Sequence, residues 1–155
     1  MKKKFLVLGL STVLGLTFLA GCGKKDKEDN VIEKEAEVLS EADVKALKQT
    51  DVNNGKVLYT AIQNAMASEE CFAELTGKCA NQLISYDENG MSRLSDKTRD
   101  EIVKAAGGYF ELQYKDNEVD KIYFMVDMSG KVTVFAGNEN FAGRYELAPE
   151  KSTMY

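Results

Sequence analysis

The chain has 155 residues, of which 44% are hydrophobic and 29% charged, with a formal charge of −5, a single Pro and no His. Such a composition suits one modest folded core rather than a disordered chain. The missing imidazole removes the commonest general base, the commonest metal ligand and every Ser-His or Cys-His nucleophile pair, leaving only carboxylates, Tyr and Lys for any catalysis.

The first element is a leader. Lys2, Lys3 and Lys4 open it, an apolar run from Phe5 to Ala20 follows, and Leu19-Ala20-Gly21-Cys22 closes it. This is the pattern of a secretory signal peptide, and the apolar run falls short of the roughly 20 residues a spanning helix needs. Leu-Ala-Gly-Cys at the end of such a leader resembles the lipobox of bacterial lipoproteins. The resemblance implies cleavage between Gly21 and Cys22, diacylglyceryl modification of the Cys22 sulfur, and a protein held by acyl chains such as palmitate on the extracytoplasmic face of a cell membrane. Two chains anchor stably where one holds only marginally. Removing residues 1–21 leaves 134 residues with 17 basic and 25 acidic side chains, a formal charge of −8. That charge disfavours nucleic acid and anionic headgroups, and points to a neutral, cationic or protein partner.

Residues 22–39 follow as the modified Cys and a charged tether, with only Val31, Ile32 and Ala36 apolar between Gly23 and Glu37. Fully extended, those fifteen residues would reach about 50 Å. Residues 40–155 form the globular part, expected to be α+β. Ser40-Glu41-Ala42-Asp43 is a capping sequence that starts a long helix over about 41–70. Val44, Leu47, Leu58, Ala61 and Ala65 make its apolar stripe, interrupted by Asp51 and Asn54. With Gly55 beside them, these residues predict a kink near 50–55.

With Cys22 assigned to lipid, Cys71 and Cys79 are left as a pair. Outside the cytoplasm their short spacing favours a disulfide, with Thr76-Gly77 reversing the chain between them and two free buried thiols as the alternative. A continuous helix from 71 to 79 would forbid the bridge, because the two Cα atoms would lie about 12 Å apart against a limit of roughly 7 Å. Two thiolates without His or further Cys do not make a metal site, so neither a metal nor a cofactor is expected. Ala80–Tyr86 reads as a short helix or strand. Asp87-Glu88-Asn89-Gly90 reads as a turn, since it lacks the remaining ligands of a calcium loop. Ser95 caps a helix over 96–106 that Gly107-Gly108 ends.

The last third changes to period two. Strands are expected at Tyr109–Lys115, Val119–Asp127, Val132–Ala136 and Arg144–Leu147, a terminal antiparallel meander of three or four strands with Val119–Val126 central. Phe135-Ala136-Gly137 recurs as Phe141-Ala142-Gly143. The simple reading is a connection whose glycines take positive φ over packed phenylalanines; the sharper one is a recognition loop displaying Asn138, Glu139 and Asn140. The order of long helix, cysteine-bearing middle and terminal meander resembles the head of type IV pilins and pseudopilins, and Thr50–Ala65 resembles the second half of a pilin-type first helix. In a pilin, a long apolar assembly helix occupies the place that the leader and tether take here.

Functionally, these features predict a non-enzymatic, lipid-anchored protein that binds a protein partner in the cell envelope, with no catalytic residues expected. The alternatives are a small-ligand module with its site between helix and sheet near Tyr59, Tyr109 or Tyr123, and a pilin-like subunit. An enzyme would have to draw on paired carboxylates among Asp87, Glu88, Asp116, Glu118 and Asp120.

Overall fold

Ser40 begins the order seen in the computed structural model, which describes residues 39–153 and Tyr155. The leader, Cys22 and the tether up to residue 38 lie outside the described residues. Ser40 Oγ accepts from the Asp43 amide at 3.2 Å while the Asp43 carboxylate accepts from the Ser40 amide at 3.3 Å, a reciprocal cap that satisfies two otherwise unpaired donors. Helix α1 then runs unbroken from Glu41–Ala65. The break expected near 50–55 falls instead at residues 66–68, so the helix is shorter than its expected span and α2 (Glu69–Ala73) restarts after it. Gly55 does not bend α1. A Cβ there would lie 2.6 Å from Leu147 Cβ, so glycine serves to let the helix backbone approach the sheet.

The sheet has four antiparallel strands in the order β1 (Ile84–Ser85), β2 (Lys121–Val126), β3 (Val132–Gly137) and β4 (Tyr145–Ala148). The α+β class and the β2-β3-β4 meander thus follow the sequence pattern, and β2 lies between β1 and β3. Ile122, Phe124 and Val126 alternate inward with Val132, Val134 and Ala136 across the β2-β3 pairing. They meet Val52, Leu58 and Ile62 of α1 in one core. A bulge opposite Val134 and Phe135 places Leu147 as the extra residue of β4. Leu147 and Ala148 are consequently both buried, and Leu147 fills the space that Gly55 leaves.

Tyr109–Lys115 is not a strand. Its alternation buries Leu112, but its backbone has other partners, described below; Ile84–Ser85 supplies the fourth strand. Asp87–Gly90 is also more ordered than a turn. Asp87 caps a single helical turn, α3 (Glu88–Met91), by accepting from the Gly90 amide at 2.7 Å. Gly90 is required there, because a Cβ would come 2.3 Å from the Ser85 carbonyl oxygen. Helix α4 (Asp96–Ala106) matches its expected limits, with Ser95 capping its start and Gly107, at φ +84°, ending it.

Candidate functional site

Two consecutive glycines of positive φ, Gly107 and Gly108, turn the chain out of α4 so that Tyr109 and Phe110 reach back to β1. There Tyr86 donates its hydroxyl to the Gly108 carbonyl at 2.8 Å, and its ring lies 4.9 Å from Phe110 and 5.4 Å from Tyr109. Burial, and secondarily the neighbouring Tyr109, push the Tyr86 phenol well above its ordinary range, so it serves as a neutral donor. This aromatic step and Ile122 floor a cleft of about 280 Å³ at the start of the central strand. Asp87, Glu111, Lys115, Asp120 and Lys121 form its rim.

Lys121 is the hinge of the site's electrostatics. Its ammonium lies 3.8 Å from Asp87 and 3.5 Å from Glu139. Desolvation works against its charge, but these carboxylates together hold its pKa above the ordinary lysine value. On the other side of the Lys121–Asp87 pair a second, more polar cleft of about 450 Å³ opens, lined by Leu83, Tyr123, Ala142, Arg93 and Glu139 among others. Lys121 and Asp87 line both clefts, so one mixed-charge wall separates two recesses.

The loop between β3 and β4 borders the second cleft. Gly137 and Gly143 are not at positive φ, contrary to the expectation. Gly137 is needed because a Cβ would lie 2.1 Å from the Phe141 carbonyl oxygen, whereas a Cβ at Gly143 would meet Leu83 and Phe135 only at ordinary van der Waals distance, 3.8 and 4.0 Å. The loop therefore helps to cover Tyr123, which pairs with Phe135 across the strands. Phe141 does not pack beneath it: it is 57% exposed, with the Arg144 guanidinium 5.6 Å from its ring. Asn138 is used internally, accepting from the Asn140 and Phe141 amides and donating to the Asn117 carbonyl. Only Glu139 and Asn140 of the expected display are exposed.

The carboxylates proposed from sequence divide between three places. Asp87 and Asp120 share the first cleft, whereas Glu88 sits exposed in the first turn of α3 and lines neither recess. Asp116 accepts from the Glu118 and Val119 amides, and Glu118 accepts from Arg144 at 3.0 Å and the Tyr145 hydroxyl at 2.7 Å. The acid that pattern reading passed over is Asp51. Fully buried, it accepts from the Gln113 amide at 2.6 Å, the Tyr114 amide at 3.0 Å and the Tyr155 hydroxyl at 2.7 Å. Burial first, and then the bond to Asp51, drive the Tyr155 phenol far above its usual range. Lys48 lies over the Tyr114 and Tyr155 rings at 4.6 and 5.1 Å, closing the corner from outside. The signal for Asp51 was its place on an otherwise apolar stripe.

Cys71 and Cys79 are free and buried. The chain does not reverse at Thr76-Gly77: α2 continues directly into a π-helical turn, Glu74–Lys78. Helical rise then separates the two Cα atoms by on the order of 10 Å, beyond bridging distance, and the expected disulfide is not formed in this structure. Cys71 instead donates to Glu101 at 3.3 Å, and burial, then Glu74, push the Cys79 thiol up.

Nor do Tyr59, Tyr109 and Tyr123 gather around one space between helix and sheet, which the core fills. Tyr123 lines the second cleft, Tyr109 backs the first through Tyr86, and Tyr59 lines neither. Among the described residues no group of three or more His, Cys, Asp or Glu is placed to hold a metal ion, and no helix is long and apolar enough to cross a membrane. What the cleft offers chemically is ion pairing around an aromatic floor. Compared with protein families, curated proteins and solved structures, the chain matches none.

Proposed function

We propose that the protein is a lipid-anchored lipoprotein of the extracytoplasmic face of a bacterial cell membrane, and that its acidic α+β domain binds a protein partner in the envelope without catalysis. The observation that carries this is Leu19-Ala20-Gly21-Cys22 at the end of a Lys-rich apolar leader, followed at once by a charged segment unsuited to a core. The two recesses on either side of Lys121, with Glu139 and Ala142 lining the second and the neighbouring Phe141 exposed, support recognition as the work of the domain. The reading includes no metal, no cofactor and no nucleic acid, in keeping with the acidic balance and the lack of His.

Metabolic labelling with an alkyne fatty acid tests the anchor. The wild-type chain should take up label and partition with membranes, and Cys22→Ala should lose both. A wild-type protein that carries no acyl label would remove the basis of the reading. Crosslinking in intact cells through a photoreactive residue at position 141 tests the partner, which should be captured as one discrete band whose yield falls in Cys22→Ala.

A further inference from the structure

The two lysines in the wall of the first cleft are already engaged, and this decides what the cleft can accept. Lys115 pairs with Glu111 at 2.6 Å, and Lys121 with Asp87 and Glu139. An incoming anion would have to displace one of these carboxylates. Asp120 differs: it is exposed, it lies on the rim, and it has no ion pair among the described residues. Beneath it, Phe110 and Tyr86 present ring surface beside the Ile122 side chain. Apolar floor, aromatic lining and a carboxylate without an ion pair together match a side chain with an aliphatic stem and a cationic head.

We propose that this cleft receives an arginine or lysine side chain of the envelope partner, its stem against Phe110 and Tyr86 and its cation at Asp120. The inference rests on the partner-binding reading above, and it names the surface and the chemistry by which the partner is recognised. The mature chain's charge of −8 favours the approach of such a partner at low salt. The first recess, rather than the larger second one, takes the cation because Asp87, Glu111 and Asp120 there outnumber Lys115 and Lys121, whereas in the second Asp87 and Glu139 are matched by Arg93 and Lys121.

The test is a titration of the full chain, in detergent micelles and with labelled isoleucine methyls and backbone amides, using three probes: N-acetyl-arginine amide, N-acetyl-norleucine amide and N-acetyl-glutamate amide. The arginine probe should shift the Ile122 methyl and the Phe110 and Asp120 amides saturably, and should bind at least fivefold more tightly than the norleucine probe. The glutamate probe should leave those signals in place. Asp120→Asn, an exposed change that preserves shape, should weaken the arginine probe about three- to fivefold, the range of one partly exposed ion pair. The assignment is overturned if the arginine probe gives no saturable shift, if the norleucine or glutamate probe binds as tightly, or if Asp120→Asn leaves affinity unchanged. Acylation of Cys22 and partner capture through position 141 that persist beside a silent cleft would reject this inference alone. An unlabelled Cys22 beside a saturable, Asp120-dependent titration would reject the anchoring and leave the cleft standing.

Discussion

Two corners of this domain are built from the same kinds of residue and behave oppositely. At one, Asp51 meets Tyr114, Tyr155 and Lys48; at the other, Asp120 and Asp87 meet Tyr86, Phe110 and Lys121. The difference lies in accounting for hydrogen bonds. Among the described residues the Gln113 and Tyr114 amides and the Tyr155 hydroxyl all donate to Asp51, so the buried carboxylate ties α1 to the 113–114 segment and to Tyr155. At Lys121 the charges only partly satisfy one another and the rim stays open to solvent. A buried carboxyl whose oxygens are bonded from within the fold is architecture; a similar set with one carboxylate left over is a surface that can bind.

The sharpest way to break the comparison is to remove Asp51. Asp51→Ala leaves two backbone amides and a phenol without an acceptor inside the protein, and should cost about 3–5 kcal/mol in denaturant unfolding of the full chain. Tyr155→Phe removes one of the three donors and should cost about 1–2 kcal/mol by the same measurement. A loss below about 1 kcal/mol for Asp51→Ala would show that the corner is not the tie described here. Gly137→Ala should cost about 1–3 kcal/mol, because the loop carbonyls cannot move away without lifting the loop off the outer sheet face. Increased proteolysis at residues 138–144 should accompany it.

Glu74 tests a third, intermediate setting. It joins the π-helical turn to the start of α4, accepting from the Ser95 amide and hydroxyl and from the buried Thr98 hydroxyl. Partial burial, the largest single influence, works to raise its pKa, but these donors and Lys78 bring it below the ordinary carboxylate value. A carboxyl lowered on folding stabilises the native state fully above its unfolded pKa, near 4.5, and loses that contribution as pH falls through the lower folded value. Glu74→Gln should therefore shallow the acid limb of a stability profile below about pH 4.5 while leaving its neutral-to-alkaline shape unchanged. The smallest stability effect belongs to the open corner. Asp120→Asn should change unfolding free energy by less than about 0.5 kcal/mol, as expected of an exposed side chain with no ion pair, even as it weakens the arginine probe.

Much of the framework was legible because its signals are local. Ser95 and Gly107 bracket α4 by capping and positive φ, Ser40 and Asp43 start α1, and the apolar run Val119–Val126 marks a central strand that needs cover on both faces. Tyr109–Lys115 misled for a definite reason. Alternation reports which side chains are buried, not where the amides donate, and here those of Gln113 and Tyr114 bond Asp51 across 62 and 63 residues rather than a neighbouring strand. Gly55 and Gly137 misled similarly, since a glycine kept for close approach carries the same letter as one kept for its backbone freedom. The cysteine spacing could not reveal whether the chain between would coil or reverse. The cleft had no local signature either, because its floor and rim come from the residues just after β1, the segment after α4 and the start of β2.

By itself, then, the sequence determined the acidic balance, the start of α1, both ends of α4 and the order of the β2-β3-β4 meander. The tertiary structure alone decided that Asp51 is a tie rather than a flaw in a helix, that Cys71 and Cys79 stand apart, and that Asp120 and Asp87 share a cleft while Asp116 and Glu118 are spent elsewhere. The physical reason is the same in each case. Whether a polar group is consumed or available depends on partners tens of residues away, and only the folded chain brings those partners within hydrogen-bond reach.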